Sequence, residues 1–126
     1  IATLTGAARV ALGPDLPAVF TGSDELAAEL QERGETLDDP VWRMPLYAPY
    51  TERLKSKVAD FNNVSEGAFG GAITAALFMQ NFVSDPSRWL HMDTYGWNDK
   101  DRPGRPAGGE GLAMRTLFAV ISERFG

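Results

Sequence analysis

The residues with the clearest chemical potential lie near the start of the chain, in the tetrapeptide Thr3-Leu4-Thr5-Gly6. These small hydroxyl and glycine residues follow an apolar run and precede an Ala-rich stretch that is typical of a helix. In an α/β sheet, the turn between a strand and the next helix is the usual place for a ligand. The same residues would also form a helix N-cap without any ligand. The tetrapeptide alone is therefore compatible with a binding loop or with a simple cap.

Three further polar groups could do chemistry, but their spacing favours structural roles. His91 and Asp93 stand two residues apart, and such side chains on a strand seldom hydrogen-bond to each other. The segment Asp60–Asn63 offers oxygen ligands, yet it is more typical of a turn that satisfies its own backbone. Arg102 and Arg105 lie among glycines, with a spacing that fits neither a P-loop nor a dinucleotide-binding motif. We interpret the loop around them as a structural clamp.

The composition excludes several kinds of site and partner. The 126 residues contain no Cys and one His, which excludes disulfides, a Cys nucleophile and a His-rich zinc site within this chain. Acidic residues outnumber basic ones by 17 to 12, and the basic residues are scattered, which argues against a nucleic-acid partner. No apolar run approaches the roughly 20 residues that span a bilayer, so we expect no membrane partner. A cytoplasmic location is compatible with these features.

Strand and helix patterns alternate along the chain and predict an α/β fold with a sheet covered on both faces. The segment 69–83 is apolar on almost all sides, which is typical of a buried helix. Ser23 is a good N-cap for the helix that follows it, and Gly34 suits the position just after that helix. The predicted strands are 1–4, 18–21, 58–61 and 89–95, and the predicted helices are 5–11, 23–33, 50–57, 69–83 and 112–124.

Several segments in one order resemble the leucyl aminopeptidase (cytosol aminopeptidase) family, and together they run through nearly the whole chain. The resemblance implies the C-terminal part of that family's catalytic domain, a partial three-layer α/β/α sandwich over residues 1–126. The segments that carry it are Ala-Thr-Leu-Thr-Gly-Ala at 2–7, Val-Ala-Leu-Gly at 10–13, Ala-Asp-Phe-Asn-Asn-Val at 59–64, Gly-Ala-Ile-Thr-Ala-Ala-Leu-Phe at 71–78, Trp-Leu-His-Met-Asp at 89–93 and Gly-Arg-Pro at 104–106.

The family consists of exopeptidases that remove N-terminal residues, often Leu, from peptides. Its members hold two ions, zinc or manganese, in a cluster of Asp, Glu and Lys ligands, and a metal-bound hydroxide attacks the scissile carbonyl. They typically assemble as hexamers. The resemblance therefore implies a peptide substrate, a dimetal cofactor and a homo-oligomer for the full-length protein.

The family's acidic motif, Asn-Thr-Asp-Ala-Glu-Gly-Arg, has no match in this sequence. It carries metal ligands and a catalytic Arg, and it normally lies just before the segment that matches Thr3. The chain begins at Ile1 inside an apolar run, and we expect the metal-ligand region to lie upstream of it. The resemblance thus implies no catalytic residue and no metal ligand in this segment, which we expect to be inactive alone.

The resemblance assigns five substrate-binding positions. Thr3, Leu4 and Gly6 match the loop that lines the substrate site. Glycine lets a ligand approach backbone N–H groups, and a strand-end carbonyl can accept from an ammonium group. Tyr95 and Asn98 match pocket-lining positions of a later loop. Neither is small or aliphatic like the residues that some relatives carry, which argues against a simple preference for Leu.

Two other functional hypotheses remain. The chain could act as a non-catalytic scaffold or binding module with an aminopeptidase-like fold. It could also belong to an unrelated α/β hydrolase or transferase, but such an enzyme needs a nucleophile and a base, and the sequence has no Gly-x-Ser-x-Gly elbow.

Overall fold

The computed structural model describes residue 1 and residues 6–126. Three strands form its central sheet: β1 (Ala18–Thr21), β2 (Trp42–Arg43) and β3 (Leu90–Asp93). β1 lies in the middle, parallel to β2 and antiparallel to β3. All four residues of β1 are buried, so the sheet is covered on both sides at its centre. The predicted strand tail 1–4 and the predicted Thr5 cap fall on residues outside the described part.

Helices cover both faces of this sheet. They are α1 (Ala7–Leu12), α2 (Asp24–Thr36), α3 (Gly71–Gln80) and α4 (Met114–Phe125). Successive side chains of a strand point to opposite faces. Val19 therefore joins the core beneath α2 and α4, whereas Phe20 joins the core beneath α1 and α3. The result is the predicted three-layer α/β/α arrangement.

The helix α2 begins as predicted and ends later than predicted. The Ser23 hydroxyl oxygen accepts a hydrogen bond from the Leu26 N–H at 3.1 Å, which confirms the N-cap. Gly34 lies inside the helix, so its assignment to the position after the helix is wrong. A Cβ at this residue would stand 3.1 Å from the Asp39 carbonyl oxygen. A side chain there would crowd the returning backbone, which explains the glycine.

Asp39 fixes the start of α4 from a distant segment. One carboxylate oxygen accepts from the Ala113 N–H at 2.9 Å, and the other accepts from the N–H groups of Arg115 (2.9 Å) and Thr116 (3.2 Å). The Thr116 hydroxyl donates to the Asp39 carbonyl at 2.6 Å. The first N–H groups of a helix lack partners within the helix, and a carboxylate is favourable at that end.

Three other predicted elements differ from the structure. The segment 58–61 forms no strand, since Asn62 folds it back by donating from its backbone N–H to Leu54 and from its side chain to Lys55. The predicted helical piece 50–57 is a 3₁₀ helix at Ala48–Leu54. Two short strands, β4 (Trp97–Asn98) and β5 (Gly108–Gly109), pair within the predicted loop 96–111. In the described part of the chain, no helix has the length and apolar character required to cross a membrane.

Candidate substrate site

Gly6 is the first predicted substrate-binding residue that the structure places, since Thr3 and Leu4 lie outside the described residues. Its φ of 68° falls in the left-handed region that favours glycine. Its carbonyl accepts from the Val10 N–H at 3.1 Å and so starts α1. A Cβ at position 6 would stand 3.4 Å from Nη2 of Arg9. The Arg9 guanidinium therefore lies against the bare face of Gly6.

Tyr95 follows β3 and meets the same arginine. The guanidinium carbon of Arg9 lies 4.2 Å from the centroid of the Tyr95 ring, a cation–π contact. The Tyr95 hydroxyl donates to Asp99 at 3.4 Å, which is long for such a bond. Gly6 and Tyr95 thus both lie against Arg9, although they are far apart in the sequence.

The Asn98 side chain is buried and forms hydrogen bonds within its own loop. Its side-chain amide donates to the carbonyls of Arg105 (2.8 Å) and Pro106 (3.0 Å), and its oxygen accepts from the Arg102 side chain at 3.1 Å. Both amide N–H groups are therefore occupied within the loop. Contact between Asn98 and a substrate stays a prediction, whereas its role in holding the loop is evident.

An ionic network fastens the same loop to the region after α1. A guanidinium nitrogen of Arg102 lies 2.8 Å from Asp15 and 3.3 Å from Glu110, and Arg105 lies 3.1 Å from the other oxygen of Glu110. The hydrogen bond to Asp15 and the charges of both carboxylates raise the pKa of Arg102. This network supports the interpretation of the loop as a structural clamp, and it stands beside the segment that carries Tyr95.

His91 lies in an aromatic environment beneath α1 and α3. Its ring stacks between Phe20 and Trp89, with centroid distances of 5.7 and 6.0 Å. Burial lowers the pKa of His91, and the nearby Asp93 carboxylate opposes that shift. Among the residues that the structure describes, none forms a hydrogen bond with Nε2. These features support a structural histidine, as the sequence predicts.

The described residues do not form the metal centre that the family resemblance implies for a full-length protein. Across residue 1 and 6–126, no group of three or more His, Cys, Asp or Glu side chains could hold a metal ion. Of the carboxylates near the candidate site, Asp15 and Glu110 contact arginines, and Asp99 accepts from the Tyr95 hydroxyl. The side chain of Asn62 closes its own turn rather than facing a shared cation site.

Sequence patterns do not identify Arg9 as part of the site. It is one of the scattered basic residues and stands in an Ala-rich helix. The single available signal is its spacing of three residues from Gly6, because residues three apart on a helix are neighbours. Its contact with Tyr95 is long-range and could not be inferred from spacing.

Comparisons with known proteins bear on the whole chain. Residues 1–118 match the model of the cytosol aminopeptidase family, catalytic domain. A probable cytosol aminopeptidase of Prochlorococcus marinus is 47% identical over 119 residues, which are 93% of this chain and 24% of that protein. One of Oleidesulfovibrio alaskensis is 48% identical over 122 residues, with 95% and 24% covered. The chain thus spans about a quarter of the length of these relatives.

Solved structures show the same likeness. The cytosol aminopeptidase of Coxiella burnetii is 52% identical with a TM-score of 0.90, over 98% of this chain and 27% of that one. The bottromycin maturation enzyme BotP, solved in complex with Mn, is 38% identical with a TM-score of 0.87, over 96% and 27%. The family model and these relatives agree with the three-layer fold. This chain therefore belongs to the cytosol aminopeptidase family.

Proposed function

We propose that this chain is the substrate-side part of a metal-dependent aminopeptidase that releases N-terminal residues from peptides. The observation that carries the proposal is that Gly6 and Tyr95 both lie against Arg9, since the family resemblance assigns both positions to the substrate pocket. Membership of the cytosol aminopeptidase family supports the same activity. The pocket wall is held in place by the clamp that joins Asn98, Arg102 and Glu110.

The role of the chain's own residues is to bind and orient the peptide. We propose that the loop of Thr3, Leu4 and Gly6 receives the substrate amine and main chain. Gly6 has no side chain and so can adopt the left-handed conformation that starts α1. Tyr95 would form one wall of the pocket for the first side chain, and Asn98 would hold that wall through its loop.

The two metal ions, zinc or manganese, would be held by residues outside the part of the chain that the structure describes. The presence of Mn in the BotP structure supports a divalent ion in this family. Such ions supply an activated water and stabilise the oxyanion that develops at the scissile carbonyl. We expect the isolated segment to be inactive because it would not hold these ions.

We further propose a cytoplasmic homo-oligomer, with a hexamer as the expected form of the full-length protein. The relatives are named cytosol aminopeptidases, which supports the location. Large apolar side chains stand exposed on two helical regions, including Phe82, Phe118 and Phe125. Exposed apolar patches mark contacts with further protein, either in the same polypeptide or in another copy.

The test is hydrolysis of leucine and other aminoacyl anilides by the full-length protein that carries this chain, loaded with manganese or zinc. We expect release of the anilide, loss of the activity with a chelator and no activity from the isolated segment. Failure of the metal-loaded protein on every aminoacyl substrate would contradict the proposal and favour the non-catalytic binding module.

A further inference from the structure

The contact between Arg9 and Tyr95 has a consequence for substrate choice. We propose that Arg9 forms a cationic wall of the pocket for the first side chain and selects peptides with an acidic N-terminal residue, Asp or Glu. The inference rests on the proposed aminopeptidase function and names the substrate class of the same site. Arg9 itself has no counterpart in the five positions that the family resemblance assigns.

The Arg9 side chain is exposed, and its guanidinium forms no hydrogen bond with another described residue. One face of its guanidinium lies over the Tyr95 ring, and Nη2 lies against Gly6. Stacking on an aromatic ring uses the face of the guanidinium and leaves the N–H groups in its plane. Those N–H groups match a carboxylate, which they can bind through two parallel hydrogen bonds. The stacking contact therefore orients the guanidinium so that its N–H groups can bind an acidic side chain.

The charge of Arg9 is not balanced by a carboxylate of the described residues. No ion pair joins Arg9 to any of them, and residues 2–5, which lie outside the described part, contain no Asp or Glu. Six other arginines of the described residues lie within 4.0 Å of a carboxylate: Arg33, Arg43, Arg102, Arg105, Arg115 and Arg124. Arg53 also stacks on a tyrosine without an ion pair to a described residue, but it donates to the Phe69 carbonyl. A substrate carboxylate would supply the ionic partner for Arg9 that the described residues do not provide.

The carboxylate of Asp99 lies near this site and should oppose the selection of acidic residues. Its removal is therefore a second test. Asp99 accepts from the Tyr95 hydroxyl at 3.4 Å and so places a negative charge beyond the ring. It makes no ion pair with Arg9 within the described structure. Its charge should weaken the attraction for an acidic substrate, and Asp99→Asn should raise the preference for Glu over Leu.

The test uses the full-length, metal-loaded protein and compares kcat/KM for glutamyl and leucyl anilides. Arg9→Gln should lower the Glu-to-Leu ratio about tenfold or more, because a hydrogen bond to a charged group is lost, and the loss should fall mainly on KM for the glutamyl substrate. Arg9→Lys keeps the charge but not the planar fork and should give an intermediate ratio. Arg88→Gln is the matched control: this exposed arginine lies at the opposite end of β3 from Tyr95, and the ratio should not change.

The outcomes separate this inference from the proposed function. If the leucyl substrate is hydrolysed and Arg9→Gln leaves the ratio unchanged, the inference is wrong and the aminopeptidase function stands. If no aminoacyl substrate is hydrolysed, the proposed function fails. In that case, calorimetry of L-glutamate and L-leucine binding tests the role of Arg9. A loss of glutamate affinity in Arg9→Gln would support the cationic wall. The same glutamate affinity in the unchanged protein and in Arg9→Gln would overturn it.

Discussion

Both faces of the central sheet pack on apolar cores, but the helices on the two sides are joined to each other by different means. On the side of α2 and α4, directed polar contacts join the helices, above all the buried carboxylate of Asp39 and the pair of Arg124 with Glu29. On the side of α1 and α3, contact depends on small side chains such as Ala8 and Ala76, which allow close approach. The candidate site lies with the second group, since Gly6 starts α1.

The comparison separates the contacts that stabilise the fold from those that surround the candidate site. The polar anchors of α2 and α4 fix the fold at a distance from Gly6 and Tyr95, so changes to them should act on stability. The face with α1 depends on the sizes of side chains, so changes there should act through packing. Substitutions on the two faces therefore provide a direct comparison.

The largest effect should come from Asp39→Ala. The change removes the acceptor of three N–H groups at the start of α4, two of which belong to buried residues. Leaving buried donors without partners costs about 1–3 kcal/mol each, so the free energy of unfolding should fall by about 3 kcal/mol or more. Urea unfolding measures this fall. Asp60→Ala is the control, because Asp60 is exposed, and it should change little. A loss below about 1 kcal/mol for Asp39→Ala would show that the Asp39 carboxylate does not anchor the start of α4. It would contradict the proposed difference between the two faces.

A smaller loss should follow from Ala76→Leu on the other face. Ala76 is fully buried between α3 and the sheet, and overpacking of a close-packed core costs about 1–3 kcal/mol. Ala28→Leu places the same side chain on the exposed side of α2 and should be nearly neutral. Thermal unfolding of both variants tests the difference. Equal melting temperatures would show that small residues are not required beneath α3.

The same face should also be sensitive to acid through His91. Burial between Phe20 and Trp89 lowers the pKa of His91 below its ordinary value of 6.5, so the unfolded chain binds the proton more readily. The contribution to stability is fully present above about pH 6.5 and is lost as the pH falls through the lower pKa of the folded state. Unfolding measured from pH 7 to pH 5 should show this loss, and His91→Phe should flatten the profile. A profile that is the same in both proteins would contradict the role of the buried imidazole.

The smallest effect should come from the surface ion pair between α2 and α4. Arg124 contacts Glu29 at 2.6 Å and Glu25 at 3.3 Å; the Glu25 side chain is largely in solvent, and that of Arg124 is 35% exposed. Exposed pairs of this kind contribute about 0.2–1 kcal/mol. Arg124→Gln should therefore lower the free energy of unfolding by about 0.5 kcal/mol. The loss should shrink in high salt, and a salt-independent loss would point to packing of the arginine stem.

Much of the fold could be predicted because local signals agree with the long-range structure. Ser23 caps α2, and the apolar segment 69–83 contains the buried helix α3. The errors have physical causes. Gly34 resembles a helix-ending glycine, whereas it is required by the backbone of Asp39 that crosses it. The alternation around Val58 resembles a strand, but no strand of the described structure pairs with that segment.

The candidate site was less accessible to sequence reasoning. The resemblance assigns Gly6 and Tyr95 to the substrate site, which stays a prediction, whereas the arginine beside both residues depends on a contact across the fold. The resemblance assigns Asn98 to a pocket-lining position, which stays a prediction. Its hydrogen bonds to Arg105 and Pro106 arise from the turn of the loop, which motif matching does not reveal.

The central claim is that this chain carries the substrate side of an aminopeptidase. The most direct measurement is mass spectrometry of two peptides of one sequence, one with a free N-terminus and one acetylated, after incubation with the full-length protein and manganese. We predict stepwise loss of single residues from the free N-terminus and an intact acetylated peptide. Two intact peptides, or cleavage inside either chain, would contradict the account.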